Sequence, residues 1–143
     1  MERSTDWQRF EHPEFQIRFA YPTETPGGRT VERTDHRRED ATGIHLTTAD
    51  KQELYFEVVR FRDLTPQEEY AGHTPHLEQR FGAGSTSQLM ETTYGGRPAW
   101  TYDFRRGERT ALLLPVGGDN YRIIYDPRFP LNLKVLDTIT IVE

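Results

Sequence analysis

Phe15, Ile17 and Phe19 alternate with Gln16, Arg18 and Ala20. This period of two predicts a strand with one apolar face, which Tyr21-Pro22 ends. Residues 23–28 (TETPGG) read as a loop by their Pro and Gly content. Residues 30–40 (TVERTDHRRED) carry dense charge of both signs and read as a solvated strand and turn, or as a mobile loop. A short strand follows over 43–48 and a stronger one over 53–62. In the stronger one Leu54, Phe56 and Val58 face one way, and Tyr55, Val59 and Phe61 the other. Thr65-Pro66-Gln67-Glu68 is a helix start: Thr65 caps, Pro66 suits the first helical position and Glu68 completes a capping box. Gly72 and Pro75 then interrupt. A residue before proline avoids helical geometry, so the pattern predicts a break at Thr74 and a second short helix over 75–81. Gly82 or Gly84 stops that helix, and Tyr70, Leu77 and Phe81 form its apolar stripe.

The C-terminal half reads as a meander with turns at Gly95-Gly96, Arg106-Gly107 and Gly117-Gly118-Asp119-Asn120. A hairpin turning at Arg106-Gly107 sets Tyr102 opposite Ala111 and Trp100 opposite Leu113. Trp100, Tyr102, Ala111 and Leu113 then share one face, and Ala99, Leu112, Leu114, Ile123 and Tyr125 the other. Trp100 and Tyr102 are therefore expected in the core. Apolar residues on both faces at the sheet centre imply that both faces are covered, by helices or by a partner. A last helix is expected within 131–139, with Leu133, Leu136 and Ile139 inward, and a short strand at 140–142. Trp7 and Phe10 precede the first strand and either pack back on it or project as a partner anchor.

The chain has 143 residues, enough for one domain over 1–143. Eight Phe, seven Tyr and two Trp supply a core despite a hydrophobic fraction of 34%. Cysteine is absent, which excludes disulfides, thiolate catalysis and cysteine-bound zinc. The net charge of −5 is spread over interspersed acids and bases. It offers no basic patch for a nucleic acid, so no nucleic-acid partner is expected. No apolar run approaches the roughly 18 residues of a membrane span, so none is expected. Residues 1–10 lack the apolar stretch of a signal peptide, and the expected location is cytoplasmic, though a trimmed exported precursor also fits.

Three stretches together resemble the PsbP-like superfamily. They are Phe15-x-Ile17-x-Phe19-x-Tyr21-Pro22, Gly96-x-Pro98-Ala99, and Tyr121-x-Ile123-x-Tyr125 followed by the helical segment at 132–139. The resemblance spans roughly residues 7–142. Two features depart from it: residues 23–28 contain no Trp, and the chain ends Thr140-Ile141-Val142-Glu143 where relatives end in Ser-Phe. The superfamily includes an extrinsic photosystem II subunit, a Ran-binding import factor and small bacterial accessory proteins. The resemblance implies an α+β domain, an antiparallel sheet flanked by helices on both faces as an α/β/α sandwich. It also implies an accessory role with a protein partner.

Candidate chemistry is sparse. His73 and His76 form the closest histidine pair, but their spacing is three, Pro75 lies between, and no third ligand stands at a recognisable spacing. They are the candidate metal ligands, against the simpler reading as surface histidines at a helix break. Ser85-Thr86-Ser87 lacks a nucleophile elbow. Gly82-Ala83-Gly84 and Gly117-Gly118 lack the following helix that phosphate binding needs, so no cofactor is expected. Arg29, Arg33, Arg37 and Arg38 are an anion-site candidate, but Glu32, Asp35, Glu39 and Asp40 lie among them. Trp100, Tyr102 and Phe104 are a candidate stacking platform, against a core role.

Two functions fit this sequence, beside a third option of a fold maintained for oligomeric assembly alone. One is a non-catalytic binding or accessory domain with a protein partner, with a homodimer also open. The alternative is a small-ligand or hydrolytic enzyme using dispersed residues such as His45, His73 and Asp103. Convergent titratable groups in a deep pocket would mark the enzyme.

Overall fold

The structure, a computed structural model, describes residues 7–12, 14–37 and 41–142. Ten strands and two helices follow in the order β1 (Trp7–Phe10), β2 (Ile17–Pro22), β3 (Glu32–Arg37), β4 (Ala41–Thr47), β5 (Tyr55–Phe61), α1 (Pro66–Phe81), β6 (Met90–Tyr94), β7 (Arg97–Phe104), β8 (Arg109–Val116), β9 (Asp119–Tyr125), α2 (Pro130–Asp137) and β10 (Thr140–Ile141). Strand pairing is antiparallel throughout, in a seven-stranded sheet ordered β3-β4-β5-β9-β8-β7-β6 and a three-stranded sheet ordered β1-β2-β10.

The hairpin register matches the turn chemistry. Trp100 pairs with Leu113 and Tyr102 with Ala111. The loop between β7 and β8 spans 105–108, with Arg105, Arg106 and Gly107 at φ of 52°, 55° and 87°. Both faces of the large sheet carry buried side chains. Phe56, Val58, Leu112, Leu114, Tyr121 and Ile123 lie in one cluster, and Tyr102, Phe104, Ala111, Leu113 and Ile124 in the other.

The α/β/α sandwich is not the fold. Among the described residues strand far exceeds helix, and the two helices have only 16 and 8 residues. Helix α1 lies against the second cluster, over the β7-β8-β9 half of its face, through Tyr70, Leu77 and Phe81. The opposite face is covered mainly by the small sheet, through Phe10, Ile17, Phe19 and Tyr21, with α2 adding Leu131, Val135 and Leu136. Period-two patterning shows that a face is buried but cannot tell a covering helix from a covering sheet. Residues 7–10 form an edge strand whose pairing with β2 puts Phe10 at 1% exposure and leaves Trp7 at 37%.

Three further expectations are corrected. Helix α1 is continuous through Pro75. Its capping box is present, and Thr65 Oγ1 accepts from the Glu68 backbone N–H at 3.1 Å. Gly72 and Pro75 are exposed, whereas Glu69, Tyr70, His73, Leu77 and Phe81 face the sheet on both sides of the proline. Packing of one stripe onto one sheet outweighs the ~3 kcal/mol helical penalty of proline, whose cost here falls on the solvent side. In α2, Asn132 is buried and Leu133 is 41% exposed, because the helix starts at Pro130 and its inner face falls on Leu131, Asn132, Val135 and Leu136. Trp100 is half-buried at the margin of the second cluster, while Tyr102 is fully buried.

Candidate functional site

Convergent polar side chains meet under α1. Glu69 projects inward from the helix at 3% exposure, because it shares a stripe with His73 and Leu77 at i, i+4 and i+8. Arg122, in the middle of β9, donates from Nη1 to Glu69 Oε1 at 2.8 Å. The Tyr102 hydroxyl, on β7, donates to Glu69 Oε2 at 3.0 Å. His73 Nδ1 lies 2.7 Å from the same hydroxyl oxygen. Tyr102 has a single proton and gives it to the carboxylate, so the network assigns the proton of the His73–Tyr102 bond to His73 Nδ1. Arg122 also reaches Glu57 on β5 at 3.8 Å and lies 5.0 Å from the centre of the Phe61 ring.

Burial shifts the titration of two of these groups, His73 and Tyr102. Burial, with Arg122 and His76 adding repulsion, pushes the His73 imidazole down to about 3. Glu69 lies 3.4 Å from His73 Nδ1, but its charge already faces Arg122. Burial and then the Glu69 carboxylate push the Tyr102 hydroxyl far above its ordinary value. A general acid or base works best when its pKa lies near the operating pH. The cluster fastens α1 to the sheet through charge-assisted hydrogen bonds.

A second buried cluster holds α2. Asp126, at 1% exposure, accepts from Arg109 Nη1 at 3.1 Å and from Arg128 Nη2 at 2.7 Å. Burial raises its carboxyl, but the hydrogen bonds and charges of Arg128 and Arg109 outweigh this and hold it below the ordinary carboxylate value. The Arg109 guanidinium stacks 4.0 Å from the Tyr55 ring centre. Asn132 donates to the Asp126 carbonyl at 2.9 Å and accepts from the Tyr55 N–H at 3.0 Å, bridging α2 and β5. In this second cluster Asp126, Arg109 and Asn132 are each engaged by their neighbours.

The residues singled out from sequence fall elsewhere. His45 sits on β4 with its ring edge-on to Tyr55 at 4.9 Å, and burial lowers its pKa. His73 reaches β7, four strands away in the sheet order, on the order of 19 Å at the usual interstrand spacing. Asp103 follows Tyr102 on β7, so its side chain leaves the opposite face, where it accepts from Thr110 at 2.8 Å. These three residues do not converge. His76 is exposed while His73 is engaged with Tyr102. Among the described residues no group of three or more His, Asp or Glu is placed to hold a metal ion.

The anion-site arginines are dispersed. Arg29 pairs with Asp50 and Glu53, Arg33 with Asp35, and Arg37 with Glu14. Arg38, Glu39 and Asp40 lie outside the described residues. Ser87 is tied to β7 through its side-chain oxygen, which accepts from the Asp103 N–H at 2.8 Å. Gly82 ends α1, and Gly117-Gly118 turn β8 into β9. Tyr102 and Phe104 are buried against α1, which removes them as an open stacking platform.

Sequence reasoning missed Glu69, Arg122, Arg109, Asp126 and Asn132. The available signal was a lone Arg inside the apolar run Tyr121-Arg122-Ile123-Ile124, on a strand with two apolar faces. Such an Arg requires a buried acid, and Glu69, four residues before His73, supplies it.

Surface grooves among the described residues range from about 140 to about 370 Å³. One of about 140 Å³ lies between the β1–β2 link and the β3–β4 edge, lined by Phe10, His12, Glu14, Asp35 and Ile44. Another of about 180 Å³ lies at the start of α2, beside Pro26, Phe129 and Leu131. Among the described residues no helix is long and apolar enough to cross a membrane. No protein-family model matches the chain, and no curated protein matches it.

Proposed function

We propose that this domain is a non-catalytic, accessory protein-binding module that acts by presenting a surface to a protein partner. One observation carries the proposal. The catalytic-looking cluster Glu69–Tyr102–His73–Arg122 has its hydrogen bonds directed at one another beneath α1. None of its groups with a shifted pKa is poised near neutral pH.

The test pairs retention with turnover. Full-length Glu69→Gln and Tyr102→Phe, at a temperature where both stay folded, are expected to retain the same stoichiometric protein from native-cell extract as wild type. A hydrolytic or ligand-converting activity present in wild type and lost in folded Tyr102→Phe or His73→Gln overturns the proposal.

A further inference from the structure

We propose that β6, an outer edge of the seven-stranded sheet, joins two copies of this chain. The two β6 strands pair antiparallel about a two-fold axis at Thr92. This concerns the chain's own assembly and does not rest on the accessory role.

The two edges of the large sheet differ in kind. In β3, Glu32, Arg33, Asp35, His36 and Arg37 are all exposed, the charged pattern that discourages edge-to-edge pairing. Strand β6 (METTY) has one charge, Glu91, no lysine or proline, and an unbroken register with β7. Met90, at 56%, is the most exposed large apolar side chain among the described residues.

The backbone phase selects the register. Gly95 and Gly96, at φ of 57° and 81°, form a two-residue turn closed by the Tyr94–Arg97 pair. The closing pair of such a hairpin is hydrogen-bonded, and bonding then alternates along the ladder. Tyr94, Thr92 and Met90 therefore aim their N–H and C=O groups at β7, while Glu91 and Thr93 aim theirs outward. Pro98 provides a check. It stands opposite Thr93, at a position that asks no N–H of it. When two β6 strands are centred on Thr92, Glu91 of each copy meets Thr93 of the other, so every outward group of these residues finds a partner.

Side chains agree with this register. Thr92 meets Thr92, Met90 meets Tyr94, and Glu91 meets Thr93, so no like charges stand directly opposite. Five-residue strands make a small contact, so the dimer is weak and concentration-dependent.

Because the chain has no cysteine, a single introduced thiol reports the contact. The two-fold centre is a non-hydrogen-bonded pair with Cα atoms about 4.5 Å apart, within disulfide reach. Thr92→Cys is expected to convert to a disulfide dimer in glutathione buffer, while Thr34→Cys on the β3 edge stays monomeric. In sedimentation equilibrium, wild type should rise above 16.8 kDa with concentration. Thr93→Pro removes an outward N–H without touching the β6–β7 ladder, and should weaken association at least tenfold at an unchanged urea midpoint. The proposal fails if Thr92→Cys remains a free thiol, if Thr34→Cys cross-links as readily, or if wild type stays at 16.8 kDa. It also fails if Thr93→Pro associates like wild type, or if β6 proves to hold a different protein while the isolated chain is monomeric.

Discussion

Replacing Tyr102 by Phe deletes one oxygen and tests whether the polar cluster fastens α1 to the sheet. That oxygen donates to Glu69 at 3.0 Å and lies 2.7 Å from His73 Nδ1. A hydrogen bond to a charged group contributes about 1.5–3 kcal/mol, and one between neutral groups about 1. Glu69 keeps Arg122, and burying Phe avoids the desolvation cost of a phenol, so the expected net loss is about 2–3 kcal/mol. This is a large share of the ~5–15 kcal/mol that holds a domain together. Urea unfolding followed by tryptophan fluorescence reads it as a midpoint drop of about 1–2 M at ordinary slopes. Tyr121→Phe is the control. Its hydroxyl accepts only a backbone bond, from the Gln16 N–H at 2.6 Å, and its loss should cost about 1 kcal/mol. A cycle combining Tyr102→Phe with Glu69→Gln should give a coupling of at least ~1 kcal/mol. The reasoning is refuted if Tyr102→Phe unfolds within ~0.5 kcal/mol of wild type, the range of ordinary surface changes.

Acid should weaken the fold through His73. Its native pKa of about 3 lies below the ordinary ~6.5, so between these values the unfolded chain takes up a proton that the native chain refuses. Stability is therefore full above pH ~7 and falls as pH drops from ~6.5 toward 3, by less than the limiting ~1.4 kcal/mol per unit because the side chain is 20% exposed. Urea midpoints at neutral and mildly acidic pH should differ less in His73→Gln than in wild type, and equal differences would exclude His73 as the cause. Asp126→Ala leaves Arg109, at 6% exposure, without its buried counter-ion and should cost about 3 kcal/mol in chemical unfolding. A loss under ~1 kcal/mol would show that Arg109 finds water instead. Pro75→Ala should raise stability by about 1–2 kcal/mol, since it restores an exposed helical bond while forfeiting the smaller proline restraint on the unfolded chain. A lower thermal midpoint would show that the proline ring makes a contact worth more than that bond.

The local features of this fold were legible in the chain. The Thr65 capping box, the Gly95-Gly96 turn and the two-faced register of Trp100, Tyr102, Leu112 and Leu113 depend on residues near one another in sequence. Turn chemistry sets the pairing phase, and the phase sets which side chains share a face. What covers each face was not legible, because an apolar face has the same alternation under a helix as under a second sheet. Residues 7–10 become a strand through pairing with β2, and Pro75 stays helical because the sheet grips the stripe on both sides of it. The buried clusters belong to the same class. Glu69 and Arg122 are 53 residues apart, and Tyr102 and Glu69 are 33 apart. Sequence could announce the need for a partner, through an arginine in an apolar strand, but the strand order chose which acid meets it. The same order separates His45 from His73 by four strands, and strand alternation turns Asp103 to the opposite face. Sequence determined the turns, caps and apolar faces, since short-range sterics and hydrogen bonding fix them. Tertiary structure alone decided the covering layers and the polar partners, since these arise where distant segments bury the same surface.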